Sequence, residues 1–319
     1  MKILVIGCGA WGKTIIKLLL ENKTNFIYVY DINIEQIKNI EKKNKNKIVI
    51  LQSLSEILNL SFDLILLIIP FKFLRETIIQ IKPFYKEQIV VNLSKGIEHK
   101  YFLTGSMIVE NILKTDKIVS LTGPTHTEEV EKKIPSAVVA ASKNINYAKQ
   151  IQRLFNRDYF RVYTTTDIIG AELGGAVKNV IALAAGISDG LGFGTNTKAA
   201  LLTRGIYEIV KLSKIFNCQI QTFYGLSGIG DLMTTAFSKY SRNRNFGELI
   251  GKGYSVDDAL KKIKQVVEGY YTVKTIKQIS QKYKIEFPIS NEVYKILYEN
   301  KEPYISVKAL MTRKLKNEI

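Results

Sequence analysis

The sequence predicts an α/β protein, with a doubly wound parallel sheet in its first half and an all-helical domain after it. Three observations predict this. Short apolar runs, several of them apolar on both faces, alternate with amphipathic stretches up to about residue 165, as strands covered by helices on each side require. A glycine-rich turn directly follows the first apolar run. Beyond residue 166 the strand signals fade and helical periodicity takes over.

In order, Ile3–Ile6, Phe26–Tyr30, Leu64–Ile69, Ile89–Leu93, Ile118–Leu121 and Ala137–Ala140 read as strands, and Phe160–Tyr163 adds a last one. Between them Gly12–Leu20, Asn33–Lys43 and Lys72–Ile81 are long enough for crossover helices. Helices are then expected over Asp167–Ser188, Thr195–Ser213, Ser255–Ile263, Tyr271–Tyr283 and Ile289–Tyr298. A chain of 319 residues suits two domains, here residues 1–165 and 166–319.

Hydrophobic and charged contents of 46% and 24% are those of an ordinary globular protein. No uninterrupted apolar run approaches the ~20 residues that span a bilayer, so no membrane insertion is expected. The first apolar stretch is short and runs into the glycine-rich turn with no cleavage pattern, which fits a strand of a cytoplasmic protein. Cys8 and Cys218 lie far apart and share no motif with His99 or His126, so neither a disulfide framework nor a metal centre is indicated. The net charge of +17 raises the question of nucleic acid. The lysines are scattered, however, and the one dense run, Lys42–Lys47, carries no interleaved aromatics. Nucleic-acid binding is therefore not expected, and an anionic small molecule would use the same positive field.

The turn Gly7-Cys8-Gly9-Ala10-Trp11-Gly12 follows the first strand and opens the first helix. In that context Gly7 permits the tight turn, Gly9 lets a pyrophosphate approach the backbone, and Gly12 permits close helix–strand packing. This is the Rossmann-type arrangement, with the anion at a helix N-terminus. Asp31 stands where a carboxylate accepts the ribose hydroxyls of NAD and repels the 2′-phosphate of NADP. Its alternative role is to cap the helix that follows.

Three further clusters suit a substrate. Asn92–Glu98 is a polar turn after a strand, with Lys95 exposed at its tip, and Gly123–Thr127 is another. The third is Gly228–Thr235 followed by Ser241–Gly247, where SRNRN concentrates two guanidiniums, two amides and a hydroxyl. Such a set suits a phosphate, or is simply a solvated basic turn. Gln265–Gly269 adds one acid, Glu268, in an apolar turn. Lys178 sits among Gly174, Gly175, Ala176, Ala182, Ala184, Ala185 and Gly186. A lysine there either snorkels to solvent or is partly desolvated, which suits it to proton transfer. The small residues around it let another backbone or a ligand approach closely.

The set LSKGIE, LTGPTHTEEV, ELGGAVKNVIALAAGISDGLGFGTNTKAALLTRG, GLSGIGDLMTT, SRNRNFG and QVVEGY, in this order, resembles the NAD(P)-dependent sn-glycerol-3-phosphate dehydrogenases of the bacterial soluble type. It covers essentially the whole chain. The resemblance implies reversible reduction of dihydroxyacetone phosphate for glycerophospholipid synthesis, by a homodimer. It implies that Lys178 is the proton donor and acceptor, that Asn179 holds substrate, and that Lys95 contacts substrate and cofactor. Asp231 would orient Lys178 and substrate, with Thr235 close by. Gly123 and Thr125 match substrate positions, and Ser241, Arg242 and Asn243 the phosphate-binding trio. Ala10, Trp11, Thr127, Arg242, Val266 and Glu268 match cofactor contacts. Four positions depart from the family's usual residues. Ala10 replaces a hydroxyl residue, His126 a Phe, Thr127 an Ala, and Asp31 an Arg or His, the last favouring NAD over NADP.

Overall fold

The computed structural model describes residues 1–33, 35, 37, 46–315, 317 and 318. Two compact units divide the chain: Met1–Glu98 with Leu103–Glu172, and His99–Phe102 with Leu173–Ile319.

The first unit is built on an eight-stranded sheet. Its strands are β1 (Lys2–Ile6), β2 (Phe26–Tyr30), β3 (Ile48–Ile50), β4 (Leu64–Leu67), β5 (Ile89–Asn92), β6 (Ile118–Thr122), β7 (Ser136–Ala141) and β8 (Phe160–Thr165), in the order β3-β2-β1-β4-β5-β6-β7-β8. The helices α1 (Ala10–Leu20), α2 (Leu74–Ile81), α3 (Gly105–Leu113), α4 (Thr127–Glu131) and α5 (Ile145–Phe155) connect them. Strands β1, β4, β5 and β6 are buried almost throughout, which is why their sequences are mostly apolar rather than alternating. The chain winds outward from β1 in both directions, so the switch point lies between β1 and β4.

Two details depart from the expected sheet. β6 and β7 pair antiparallel, whereas the remaining neighbours are parallel. The 13 residues between those strands carry only the short α4, so the chain doubles back instead of crossing over. β3 is an edge strand three residues long, too short to give a periodic signal. Most of the helix expected at Asn33–Lys43 and most of the Lys42–Lys47 run lie outside the described residues.

In the second unit the helices are α6 (Ile168–Gly190), α7 (Thr195–Val210), α8 (Leu212–Phe216), α9 (Ile220–Phe223), α10 (Asp231–Phe237), α11 (Arg242–Gly251), α12 (Val256–Ile263), α13 (Glu268–Tyr283), α14 (Pro288–Tyr298) and α15 (Pro303–Met311). The first residues of α6 group with the first unit. A π-helical turn, Leu226–Gly230, leads into α10. SRNRNFG is thus largely helical, not a turn, GLSGIGDLMTT is helical as well, and Glu268 opens a helix. Although no uninterrupted apolar run is long enough to span a bilayer, α6 is long and apolar enough by length and average composition, with a mean hydropathy of 1.5. In that window 94% of the residues are buried inside the protein, as in a core helix.

The small residues of α6 admit other backbone. A Cβ on Gly186 would lie 1.9 Å from the Arg244 carbonyl oxygen, and one on Gly247 would lie 2.1 Å from that of Leu183. Gly174 similarly faces the backbone of Ser227 and Gly228. Of the two occupants that the small residues allow, it is backbone and not a ligand that fills the space at these glycines. The contacts step along α6 and α11 in register, with Asn179 against Asn243, Leu183 against Gly247 and Ile187 against Gly251. Gly186→Ala is expected to destabilise the protein by about 1–3 kcal/mol or more, because the clash is with backbone that cannot rotate away. Urea unfolding checks this, and an alanine variant as stable as the parent would contradict the close crossing.

Candidate active site

In the first unit, the glycine-rich turn leaves β1 at Gly7, whose φ of +102° strains any other residue. Added Cβ atoms at Gly7 and Gly12 would meet the Ile68 and Gly7 carbonyl oxygens at 2.3 Å. At Gly9 nothing lies within 4 Å of an added Cβ. Gly9 is also the N-cap of α1 and supplies no side-chain cap, so the helix presents an uncapped N-terminus beside open space. Ala10 and Trp11 form its first turn.

Asp31, just past β2, reaches into this turn. Its Oδ2 accepts the Cys8 N–H at 2.6 Å and its Oδ1 accepts the Asn33 N–H at 2.8 Å. Burial, reinforced by the Asp31 carboxylate, pushes the Cys8 thiol up to about 11. At pH 8 it is almost wholly protonated and unreactive. Iodoacetamide is therefore expected to label Cys218 and spare Cys8 in the folded protein, and to label both after denaturation. Peptide mass mapping checks this, and rapid labelling of Cys8 in the folded protein would contradict it.

Lys95 is half-buried rather than exposed, because it folds over a neighbouring loop: its Nζ donates to the Gly123 carbonyl at 3.1 Å. Thr125 Oγ1 donates to the same oxygen at 3.3 Å. Lys95, Gly123 and Thr125 are thus brought together. Thr127 opens α4, and Glu131 at the end of that helix accepts from Thr14 and Lys17 of α1 at 3.1 and 2.8 Å. That tie sets α4 against the helix of the glycine-rich turn.

In the second unit, Lys178 is 6% exposed and Asp231 is 2% exposed. Lys178 Nζ donates to Asp231 Oδ1 and, at 2.6 Å, to Thr235 Oγ1. Asp231 and Thr235 lie one turn apart on α10, so both face α6. The lysine does not snorkel; its charge is met inside the protein.

Asn179, next to Lys178, accepts the Asn243 amide N–H at 3.0 Å, and Asn243 Oδ1 accepts the Gly269 N–H at 2.8 Å. Ser241 is the N-cap of α11, its hydroxyl accepting from Arg244 N. Within the SRNRN cluster the side chains point in different directions. Arg242 is exposed, whereas Arg244 pairs with Asp189 at 2.8 Å and with Glu248. One guanidinium of the expected phosphate cluster is therefore committed to structure. Val266 and Glu268 lie at the start of α13, in the second unit.

The sequence reading missed the residues that hold the Lys95 loop. Arg75 of α2 forms a two-pronged ion pair with Glu98, and Ser94 Oγ donates to the Ile69 carbonyl at 2.7 Å. Asn92 and Glu172 meet in a buried hydrogen bond. The visible signals were an asparagine closing a strand and an acid one turn into a long, mostly apolar helix.

A glycine-rich turn on the first strand of a doubly wound sheet, joined to a helical unit with a buried lysine–carboxylate pair, defines the class of two-domain NAD(P)-dependent oxidoreductases. Comparison with known proteins narrows this. Residues 2–148 match the family described as NAD-dependent glycerol-3-phosphate dehydrogenase N-terminus, and residues 167–308 its C-terminus. The chain is 44% identical to the glycerol-3-phosphate dehydrogenase [NAD(P)+] of Thermotoga sp. (strain RQ2), covering 100% of this chain and 99% of that protein. The enzyme of the same name from Francisella tularensis is 42% identical, with 99% and 98% covered. The crystal structure of glycerol-3-phosphate dehydrogenase from Coxiella burnetii superposes with a TM-score of 0.90 at 31% identity, covering 98% and 99%. The chain belongs to the NAD-dependent glycerol-3-phosphate dehydrogenase family.

Proposed function

We propose that this protein catalyses the reversible NAD(P)H-dependent reduction of dihydroxyacetone phosphate to sn-glycerol 3-phosphate. The observation that carries the reading is the buried Lys178–Asp231–Thr235 cluster in a chain of this family. Residues 1–165 would bind the dinucleotide and residues 166–319 the substrate.

The uncapped N-terminus of α1 beside the open space at Gly9 fits a pyrophosphate, which its free N–H groups and the helix dipole would hold. Gly7, Gly9, Ala10, Trp11 and Gly12 would line it, with Thr127, Arg242, Val266 and Glu268 as further contacts. Each Asp31 oxygen accepts one backbone N–H and keeps a second lone pair for a ribose hydroxyl. Asp31 would therefore favour NAD, while NADP remains within the family's range. When bound, the reduced nicotinamide supplies a hydride to the C2 carbonyl carbon of the substrate. Lys178 would donate a proton to the oxygen on which charge grows, and Lys95 would add positive field there. Asp231 and Thr235 hold the Lys178 ammonium in one direction, so its aim does not have to be established during the reaction. Arg242 is the exposed guanidinium of its cluster, suited to grip the phosphate alongside Ser241 and Asn243. Gly123, Thr125 and Asn179 would complete the substrate contacts. The protein would act as a cytoplasmic homodimer supplying glycerophospholipid synthesis.

Comparing dihydroxyacetone phosphate with dihydroxyacetone and with 2-oxo acids tests the substrate class. The phosphorylated ketone should be turned over and the others should react poorly. Faster turnover of a 2-oxo acid would overturn the reading in favour of a hydroxyacid dehydrogenase.

A further inference from the structure

The segment carrying Lys95 is anchored from beneath by a buried polar network. Asn92, the last residue of β5, is wholly buried. Its Oδ1 accepts the Ser94 N–H at 3.0 Å, and its Nδ2 donates to the Ser94 carbonyl at 3.2 Å. That carbonyl belongs to the peptide joining Ser94 to Lys95, so the Asn92 amide sets the plane from which the Lys95 side chain departs. The same Nδ2 donates to Glu172 Oε1 at 3.0 Å.

Glu172 is 6% exposed and accepts three further contacts, from Ser106 N at 3.0 and 3.1 Å and from Ser106 Oγ at 2.6 Å. A carboxylate is acceptor-only, so the nitrogen and not the oxygen of Asn92 must face it. Glu172 thereby selects one of the two orientations of the Asn92 amide, the one that leaves Oδ1 for Ser94. The packing leaves no slack: a Cβ on Gly105 would lie 2.2 Å from Asn92 Nδ2.

We propose that Glu172 is a positioning residue for Lys95, acting through the Asn92 amide. This rests on the reading of Lys95 as a residue that contacts the substrate. Glutamine keeps the link: its oxygen can take the place of Oε1, which already accepts from both Asn92 Nδ2 and the Ser106 N–H, and its NH2 can donate to Ser106 Oγ. Leucine removes both acceptors and leaves those donors unmatched. The Asn92 amide would then turn or draw away, and the Ser94–Lys95 peptide would tilt with it.

The test is a double-mutant cycle on the full-length enzyme, with kcat and KM for dihydroxyacetone phosphate measured for Glu172→Leu, Lys95→Ala and the pair. Glu172→Leu is expected to lower kcat by about 10- to 100-fold, the scale of an ångström-sized misplacement, and Glu172→Gln to recover most of that loss. NADH affinity, read from Trp11 emission, should stay unchanged. In the Lys95→Ala background the same change should cost less than about 2-fold, because its target is gone. Ser106→Ala removes a donor from the same carboxylate without touching Asn92 and should keep kcat within about 2-fold. If Glu172→Leu does not fold, Asn92→Ala cuts the link from the other side and must show the same dependence on Lys95. Equal losses in both backgrounds would overturn the positioning role and leave Lys95 intact as a site residue. Normal turnover of Lys95→Ala alone would overturn the reading of Lys95 and the inference with it.

Discussion

Lys178→Ala is expected to lower turnover by at least ~10²-fold, the scale of lost general acid catalysis. NADH binding should be retained, because the variant leaves the glycine-rich turn untouched. The chain has a single tryptophan, Trp11, at the start of α1, so a change in its emission on adding NADH is expected to report binding without interference. The variant also leaves the buried Asp231 carboxylate without its ammonium, which costs stability independently of catalysis. Lys178→Met with Asp231→Asn separates the two effects. With both charges gone, stability should largely recover while turnover stays low. Near-normal turnover in any variant lacking the ammonium would show that Lys178 is not the proton donor.

Asp231→Ala is expected to have the second largest effect. Removing one partner of a buried ion pair typically costs about 3–5 kcal/mol, because the remaining charge stays desolvated. Here that charge is the Lys178 ammonium, which keeps its bond to Thr235 but loses its carboxylate. Stability should fall by that amount in urea unfolding, and kcat should fall while cofactor binding holds. Asp231→Asn keeps a hydrogen-bond acceptor and should be less destabilised. An Asp231→Ala protein as stable and active as the parent would mean that the pair neither anchors nor aims Lys178.

Much of this was legible in the sequence, for identifiable reasons. The glycine-rich turn could be read because a tight turn, an open backbone and a close helix contact each require glycine at a fixed spacing. The strands β1, β4, β5 and β6 could be read because burial on both faces leaves runs that are mostly apolar. The antiparallel β6–β7 pair was not legible, since strand direction depends on how the connection packs and not on the residues within either strand. Nor was the division of labour between Arg242 and Arg244. Both are arginines of one short cluster, and only the placement of Asp189 and Glu248 draws Arg244 away. The glycines of α6 were visible as a request for space. Which backbone fills that space is a tertiary fact, decided by Gly186 against Arg244 and Gly247 against Leu183. Asn92 and Glu172 were hidden for a similar reason, being 80 residues apart in the chain.

The most direct test of the central claim follows the absorbance of NADH and NADPH separately as dihydroxyacetone phosphate is added to the purified protein. The account predicts oxidation that depends on the phosphorylated substrate, faster with NADH than with NADPH because of Asp31, with sn-glycerol 3-phosphate as product. No oxidation of either cofactor would contradict it.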